Sequence, residues 1–333
     1  MAVHTQLAPD DVERLAGAYG LGPVRSFRGL PAGSINSNYQ VISERGKFFL
    51  TLREGKRRDE VEDEVRLLSH LAGARFPAPG PIVGAKGAID EALGRPVLVF
   101  PWVAGEELAP AAIGPDHVRE LGAHLARMHQ LLEAVPLRRP NPYGSATVSR
   151  WLEELGAAGP PEEVERLLPR LADELRWSGE HRDPALPRGA IHADLFVDNV
   201  KWIGGRLAAL LDFEMACRDT LALDLAIVLL AWCFRDGAFE RPLVRALLSG
   251  YGAVRPPGDD ERHGLYAEAR FAALRYTVSR IRDFELSPLP PERLERKSYR
   301  DFLSRLEALA ALGPARFREL CGFLPGSGDP VSR

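Results

Sequence analysis

Four polar residues in one short segment have the types and the spacing to carry out chemistry. His192, Asp194 and Asn199 read H-x-D-x-x-x-x-N, and Asp212 follows Asn199 after thirteen residues, directly before Phe213. A carboxylate can accept or orient the proton of an attacking hydroxyl. An amide oxygen and a second carboxylate can hold Mg²⁺ on a triphosphate. Asp and Asn are also common in turns, but three such positions in order between apolar strands seldom arise by chance.

The order of these residues resembles the catalytic loop of the protein-kinase-like fold, in which H-R-D-x-x-x-x-N precedes D-F-G. On this resemblance, Asp194 is the residue that orients or deprotonates the acceptor hydroxyl, and Asn199 and Asp212 are the two Mg²⁺ ligands. A Gly-Gly turn at 204–205 folds two strands back and brings the ligands together. His192 is expected to bond the backbone near the loop.

The first 102 residues carry the patterns of strands and of two amphipathic helices. The predicted strands are 24–29, 37–43, 47–53, 82–85 and 96–102. The predicted helices are 10–19 and 57–71. A hairpin turn at 44–46 joins the second and third strands, so the pattern predicts a five-stranded unit with helices.

Beyond residue 102 the pattern becomes helical. The predicted helices are 115–133, 147–156, 161–176, 219–234, 240–250, 259–284 and 291–311. The single β-rich interruption, about 190–213, contains the polar residues described above. We therefore predict an α+β, two-lobed protein-kinase-like fold. Residues 1–102 form a small N-terminal antiparallel sheet lobe that binds nucleotide, and 103–333 form a larger, mostly helical C-terminal lobe with the catalytic and substrate-binding residues; ligands usually bind in the cleft between domains.

Segments spread over most of the chain resemble the aminoglycoside phosphotransferase and choline kinase superfamily, and within it most closely the bacterial homoserine kinases. These segments are 33–39 (GSINSNY), 48–54 (FFLTLRE), 191–200 (IHADLFVDNV), 221–227 (LALDLAI) and 231–234 (AWCF). The resemblance implies a kinase with ATP and Mg²⁺ as cofactors. Its acceptor would be the hydroxyl of a small molecule, L-homoserine, as a step of threonine biosynthesis.

The same resemblance implies which residues bind the nucleotide. A loop over the phosphates would consist of Gly33, Ser34, Asn36, Ser37 and Asn38, because small side chains let backbone N–H groups approach an anion. An ordinary hairpin explains these residues nearly as well. The connection between the lobes would contact adenine, and its residues are Val99, Pro101 and Val103.

One position departs from the superfamily. Many relatives carry a third-strand lysine that contacts the phosphates and pairs with a helix glutamate, and here that position is Thr51. Arg53 lies on the same face of the strand and would supply the positive charge, with Glu64 or Glu60 as its partner. The alternative is a solvated arginine.

Two acidic residues lie at the start of the helix after the β-rich segment, Asp219 just before it and Asp224 within it. Asp219 is predicted to cap the helix that begins near Thr220, and Asp224 to be a buried anchor for the catalytic loop.

The acceptor pocket is less defined by the sequence. Glu214 and Met215 replace the aromatic residue usual after Asp-Phe in the homoserine branch; Glu214 binds a substrate ammonium or, as we favour, faces solvent or has a structural role. Four arginines of the helix near 266–283 could include one that binds an amino-acid carboxylate, although a charged outer face is the commoner explanation. They are Arg270, Arg275, Arg280 and Arg282.

Two other functions stay open from the sequence. One is a kinase of an amino sugar, aminoglycoside or choline-like alcohol, because the pocket diverges at Glu214 and Met215. The other is a nucleotide-binding module without transferase activity, because the third-strand lysine is absent.

Composition excludes several classes of protein. The 333 residues include 43 Lys and Arg against 46 Asp and Glu, a net charge of -3, which gives no general attraction to nucleic acid or membrane. Three cysteines without a CxxC pair argue against a disulfide framework or a zinc site. The N-terminal segment lacks a basic region followed by an apolar stretch, and the longest uncharged apolar run, 225–234, is too short for a membrane span. We expect a cytoplasmic protein with no nucleic-acid or membrane partner.

Overall fold

The computed structural model describes residues 5–30, 36–137, 139–285 and 297–323. A five-stranded antiparallel sheet of order β1-β2-β3-β5-β4 occupies the N-terminal part. Its strands are β1 (Val24–Gly29), β2 (Ser37–Ser43), β3 (Gly46–Leu52), β4 (Asp90–Ala92) and β5 (Arg95–Pro101). Helices α1 (Pro9–Ala18) and α2 (Arg58–Gly73) accompany it. We call α1 to β5 the sheet region.

Strand alternation gives the sheet two different faces. Leu50, Leu52, Val97 and Val99 lie in an apolar cluster with α1, whereas Leu98 and its neighbours on the other face belong to the core that continues through α2 into the rest of the chain. The second face is therefore the one that looks toward the predicted catalytic residues.

The fourth predicted strand is wrong. Residues 82–85 form no strand; the Ile82 amide donates to the Val99 carbonyl at 2.7 Å, and Gly84 forms an isolated bridge with Gly87. The fifth strand of the sheet is instead β4, which pairs with β5 and is joined to it by a tight turn. Leu93 (φ 51°) and Gly94 (φ 74°) both have the left-handed backbone that such a two-residue hairpin turn requires. A leucine at the first turn position hides this signal in the sequence.

The remaining chain, which we call the helical region, is largely α-helical, as predicted. Its helices are α3 (Pro115–Leu132), α4 (Ser145–Ala157), α5 (Glu162–His181), α6 (Leu221–Trp232), α7 (Arg241–Val254), α8 (Asp259–Arg280) and α9 (Arg300–Cys321). The predicted start of the last helix, at 291, lies outside the described residues. Within the described residues, no helix combines the length and the apolar character needed to cross a membrane.

Short strands in the helical region carry the catalytic segment. β6 (Arg188–Ile191) pairs with β9 (Cys217–Thr220), and β7 (Val200–Ile203) pairs with β8 (Arg206–Leu210). A further small hairpin joins β10 (Phe234–Arg235) to β11 (Ala238–Phe239).

Helix α6 follows β9 and is buried on every side. Its N-cap is Thr220, whose Oγ1 accepts from the Leu223 amide at 3.2 Å. The prediction that Asp219 caps α6 is wrong. The Asp219 carboxylate instead accepts from the Thr220 amide and pairs with Arg188 at 2.9 Å. This leaves the first turn of α6, with Asp224, fixed under the loop that follows β6.

Candidate active site

Hydrogen bonds to backbone carbonyls hold the segments that carry Asp194, Asn199 and Asp212 together. Asp194 lies in the loop after β6, Asn199 ends one 3-10 turn, and Asp212 follows β8. The Asn199 side-chain amide donates to the Asp194 carbonyl at 2.8 Å, and the Leu211 amide donates to the Asn199 carbonyl at 2.8 Å. The predicted catalytic residues therefore occupy neighbouring positions although up to eighteen residues separate them in the chain.

The buried carboxylate of Asp224 anchors this loop, as predicted. It accepts from the backbone amides of His192 and Ala193, each at 2.9 Å, and contacts His129 Nε2 at 2.9 Å. Burial alone would raise the pKa of Asp224. The hydrogen bonds that its carboxylate accepts from the His129 ring and from the His192 amide hold this pKa below its usual value. The predicted structural role of His192 is also confirmed, because its Nε2 donates to the Leu211 carbonyl at 2.8 Å. Burial lowers the pKa of His192, which keeps the ring neutral.

Two side chains of helix α8 form hydrogen bonds with Asp194 and with the residue before it. The hydroxyl of Tyr276 lies 3.0 Å from Asp194 Oδ1 and 2.8 Å from the carbonyl of Ala193, and Arg275 donates to the same carbonyl at 2.7 Å. Burial raises the pKa of Asp194 to about 6, while the charge of Arg275 and the Tyr276 hydrogen bond limit that rise. A carboxylate with such a pKa is suited to general base catalysis near neutral pH.

This arrangement corrects one expectation. Arg275 is only 1% exposed and supports the catalytic loop, so it presents no guanidinium to a substrate. Two of the other arginines considered are paired within the protein, Arg270 with Glu174 and Arg280 with Asp301.

Asp212 stands at a sharp bend. Its backbone is left-handed, with φ 61° and ψ 64°, a conformation that Asp tolerates better than most residues. The Asp212 side chain is exposed to solvent. The protein atoms packed around it, and then the neighbouring carboxylate of Glu214, raise the pKa of Asp212 to about 8, against the opposing charge of Arg53. Negative charge accumulated here favours a bound cation.

The donor set fits a divalent metal on a phosphate substrate. Asn199 gives its amide N–H to the loop, and its Oδ1 accepts no hydrogen bond from the described residues. Among those residues, no group of three or more His, Cys, Asp or Glu could hold a metal ion. Mg²⁺ in phosphotransferases needs fewer protein ligands, because the substrate phosphates and water supply the other oxygens. Asn199 and Asp212 are thus the residues that could hold it.

The predicted pair of Arg53 and Glu64 is present. Arg53, only 5% exposed, contacts Glu64 on α2 and lies 3.4 Å from Glu214 Oε2. Glu60, the other predicted partner, instead accepts from the Arg57 amide at 3.0 Å at the start of α2. The alternative of a solvated Arg53 is therefore wrong. Its contact with phosphate stays a prediction.

Glu214 joins the two parts of the chain. It is only 7% exposed, so the expectation that it faces solvent is wrong. Its Oε2 accepts from Asn36 and lies 3.3 Å from Lys56 Nζ, and its carbonyl accepts from Lys56 at 2.9 Å. Burial would raise the pKa of Glu214, but the charges of Lys56 and Arg53 hold it below the usual value. Glu214 thus binds protein cations, and its role is structural.

The other residues predicted to bind nucleotide occupy several environments. Gly33 and Ser34 lie outside the described residues. The Asn36 and Ser37 side chains, at the start of β2, both bond to Glu54. Asn36 Oδ1 accepts from the Glu54 amide at 3.2 Å, and Ser37 donates to the Glu54 carboxylate at 2.7 Å. Asn38 pairs with position 51 in the sheet.

The segment predicted to contact adenine comprises the end of β5 and the first residues after it. Val99 points into the cluster with α1, and its carbonyl accepts from the Ile82 amide at 2.7 Å. Pro101 is exposed and Val103 half-buried. Strand alternation, which the prediction did not use for this segment, places Leu98 and Phe100 on the face toward the helical region instead. Contact with adenine stays a prediction.

A cavity of about 250 Å³ borders the site. Its lining residues are Lys56, Arg139, Pro142, Tyr143, Thr147, Arg150, Trp151, Glu214, Met215 and Arg282. The sequence pointed to Glu214, Met215 and Arg282 but missed the other cations, because these come from loops and a helix with no shared motif. A larger surface cavity of about 460 Å³ lies against α3 near His124 and contains none of the predicted site residues.

The family described as phosphotransferase enzyme family matches residues 26–265. This chain belongs to that family. It is 38% identical over 312 residues to the homoserine kinase of Rhizobium meliloti (strain 1021), covering 92% of this chain and 94% of the relative. It is 37% identical over 292 residues to the homoserine kinase of Xanthobacter autotrophicus (strain ATCC BAA-1158 / Py2), covering 85% and 88%. The predicted family is confirmed.

Solved structures of other small-molecule kinases confirm the predicted protein-kinase-like fold. The chain resembles amicoumacin kinase hAmiN in complex with AMP-PNP, Ca²⁺ and Ami, with a TM-score of 0.71 and 17% identity over 92% of this chain and 95% of that one. It also resembles choline kinase LicA from Streptococcus pneumoniae, with a TM-score of 0.65 and 16% identity over 90% and 98%. At these identities the likeness concerns the fold.

Proposed function

We propose that the protein transfers the γ-phosphoryl group of MgATP to the side-chain hydroxyl of L-homoserine, giving O-phosphohomoserine and ADP. The observation that carries the proposal is the likeness to proteins named homoserine kinase over about nine-tenths of the chain. The geometry around Asp194 supports the chemistry of the transfer.

In this reaction Asp194 orients the acceptor hydroxyl and accepts its proton as the oxygen attacks the γ-phosphorus. The new O–P bond forms as the bond to the bridging oxygen of ADP breaks. Tyr276 and Arg275 hold the Asp194 loop during this step. Positioned proton transfer of this kind contributes about 10²- to 10⁴-fold in rate.

Asn199 and Asp212 would hold Mg²⁺, which when bound neutralises charge on the phosphate oxygens. A bound cation would offset the negative charges of the neighbouring Asp212 and Glu214 carboxylates. We assign nucleotide binding to residues 1–102, with the loop at 33–38 over the phosphates and Arg53 held by Glu64 nearby. Catalysis and acceptor binding belong to 103–333.

The test is an acceptor screen that follows ADP release and identifies the product by phosphorus NMR. L-Homoserine should be preferred over L-serine, choline and an aminoglycoside. Preference for an aminoglycoside or choline would overturn the acceptor assignment, and MgATP binding without turnover of any alcohol would favour a binding module.

The base is tested with Asp194→Asn, which should keep the fold and lower turnover at least about a hundredfold. Asp198→Asn is the matched control, since Asp198 lies on the same loop but is exposed and pairs with Lys297 at 3.1 Å. A near-normal rate for Asp194→Asn would remove Asp194 from the mechanism.

A further inference from the structure

The cavity beside the active site carries an excess of positive charge. Four cationic side chains line it against one carboxylate, that of Glu214. These cations are Lys56, Arg139, Arg150 and Arg282. The Glu214 carboxylate is already engaged by Lys56, Arg53 and Asn36. The charge of the cavity lining therefore suits a bound anion better than a bound cation.

Most of these cations have partners. Lys56 is held by Glu214, Arg150 lies 3.5 Å from Glu154, and Arg282 contacts the carboxylate of Asp283 at 2.5 Å. Arg139 differs. Its Nη1 donates to the backbone carbonyl of Glu214 at 3.0 Å, and no carboxylate among the described residues lies within ion-pair distance of it.

The single bond to the Glu214 carbonyl fixes the Arg139 guanidinium at the cavity wall. Its other N–H groups have no hydrogen-bond partner in the part of the chain that the structure describes. A guanidinium presents its donors in a planar fork that matches the two oxygens of a carboxylate. Arg139 is half-buried, its guanidinium is held at the cavity wall, and its remaining N–H donors are available to a ligand.

The cavity also adjoins the reacting residues. The ring of Tyr143 forms part of its wall and lies 5.0 Å from the guanidinium of Arg275. That guanidinium lies 4.2 Å from the ring of Tyr276, whose hydroxyl contacts Asp194 at 3.0 Å. Only two side chains stand between the cavity and the predicted base along this path.

We propose that Arg139 binds the α-carboxylate of the acceptor and so selects a small amino acid over a cationic alcohol. The inference rests on the proposed function for the identity of that acceptor. The cavity, at about 250 Å³, is smaller than sites for drug-sized ligands, and its positive lining repels aminoglycosides and choline.

The experiment compares Arg139→Ala and Arg139→Lys with the unaltered protein on two acceptors, L-homoserine and L-homoserine amide. The amide keeps the hydroxyl and the amine but replaces the carboxylate with a neutral group. For homoserine, Arg139→Ala should raise KM by about 10- to 100-fold, the worth of a charge-assisted hydrogen bond, and Arg139→Lys should do so less. KM for MgATP and kcat/KM for the amide should stay unchanged. Arg166→Ala, on the exposed face of α5, is the matched control.

The amide reaction also reports that a variant is folded. An unchanged KM for homoserine in Arg139→Ala, or equal losses on both acceptors, overturns the proposal. If the unaltered protein prefers another hydroxy acid over homoserine and Arg139→Ala loses that preference selectively, the homoserine assignment fails while the role of Arg139 stands. If no carboxylate-bearing acceptor is turned over, the role of Arg139 is overturned.

Discussion

Replacing Asp224 with asparagine tests whether the catalytic loop depends on one buried carboxylate. Oδ2 contacts the His192 amide and His129 Nε2, and Oδ1 accepts from the Ala193 amide, all at 2.9 Å. An amide has one oxygen and one NH₂ group, so at least one of the three donors loses its acceptor. A buried donor left unpaired costs about 1–3 kcal/mol, and the remaining bonds lose their charge assistance, about 1 kcal/mol each.

We therefore expect Asp224→Asn to lower the free energy of unfolding by about 3–5 kcal/mol, which is a large part of a typical 5–15 kcal/mol. The assay is urea unfolding at several pH values, together with kcat. The folded-state pKa of Asp224 is depressed, so its contribution to stability is present above the unfolded pKa and is lost as pH falls further. The difference in unfolding free energy between the unaltered protein and Asp224→Asn should therefore narrow below about pH 4.

In the folded variant, kcat should fall more than KM for MgATP changes, because the loop carrying Asp194 is displaced. Asp198→Asn, on the exposed side of the same loop, should show neither effect. The anchoring role would be refuted if the free energy of unfolding of Asp224→Asn lay within about 0.5 kcal/mol of that of the unaltered protein and its kcat were normal.

Two further predictions concern the surroundings of the site. Tyr276→Phe removes a hydrogen bond that lowers the pKa of Asp194; because the carboxylate is the active form, the acidic limb of kcat/KM should move to higher pH by about 0.5–1 unit, and no movement in the pH profile would contradict this. Arg53→Met leaves Glu64 and Glu214 without their shared cation and should lower stability by about 3–5 kcal/mol. Adding Glu214→Gln should recover part of that loss in denaturant unfolding, and strictly additive losses would argue against the pairing.

Much of the fold is predictable from the chain because its signals are local. The spacing of apolar residues gave nearly all helices and four of the five strands of the main sheet. Most ends shifted by up to five residues, but the last helix continues past its predicted end at 311 to Cys321, across a break at Gly313. The fourth strand was misplaced because Leu93 conceals a left-handed turn that only its pairing with β5 imposes.

The site was predictable where the motif is contiguous and unpredictable where distant elements converge. Asp194, Asn199 and Asp212 lie in one segment, so their order was informative. The burial of Glu214 depends on Lys56 and Asn36 from the sheet region, and no local pattern indicates that contact. Arg275 carries the charge expected of a substrate ligand, but its burial under the loop gives it another role.

The most direct test of the central claim is a crystal structure with a non-hydrolysable ATP analogue and Mn²⁺, whose anomalous signal locates the metal. The account predicts metal bonded to Asn199 Oδ1 and the Asp212 carboxylate, with the terminal phosphoryl group beside Asp194. Metal and triphosphate bound away from these three side chains would contradict it.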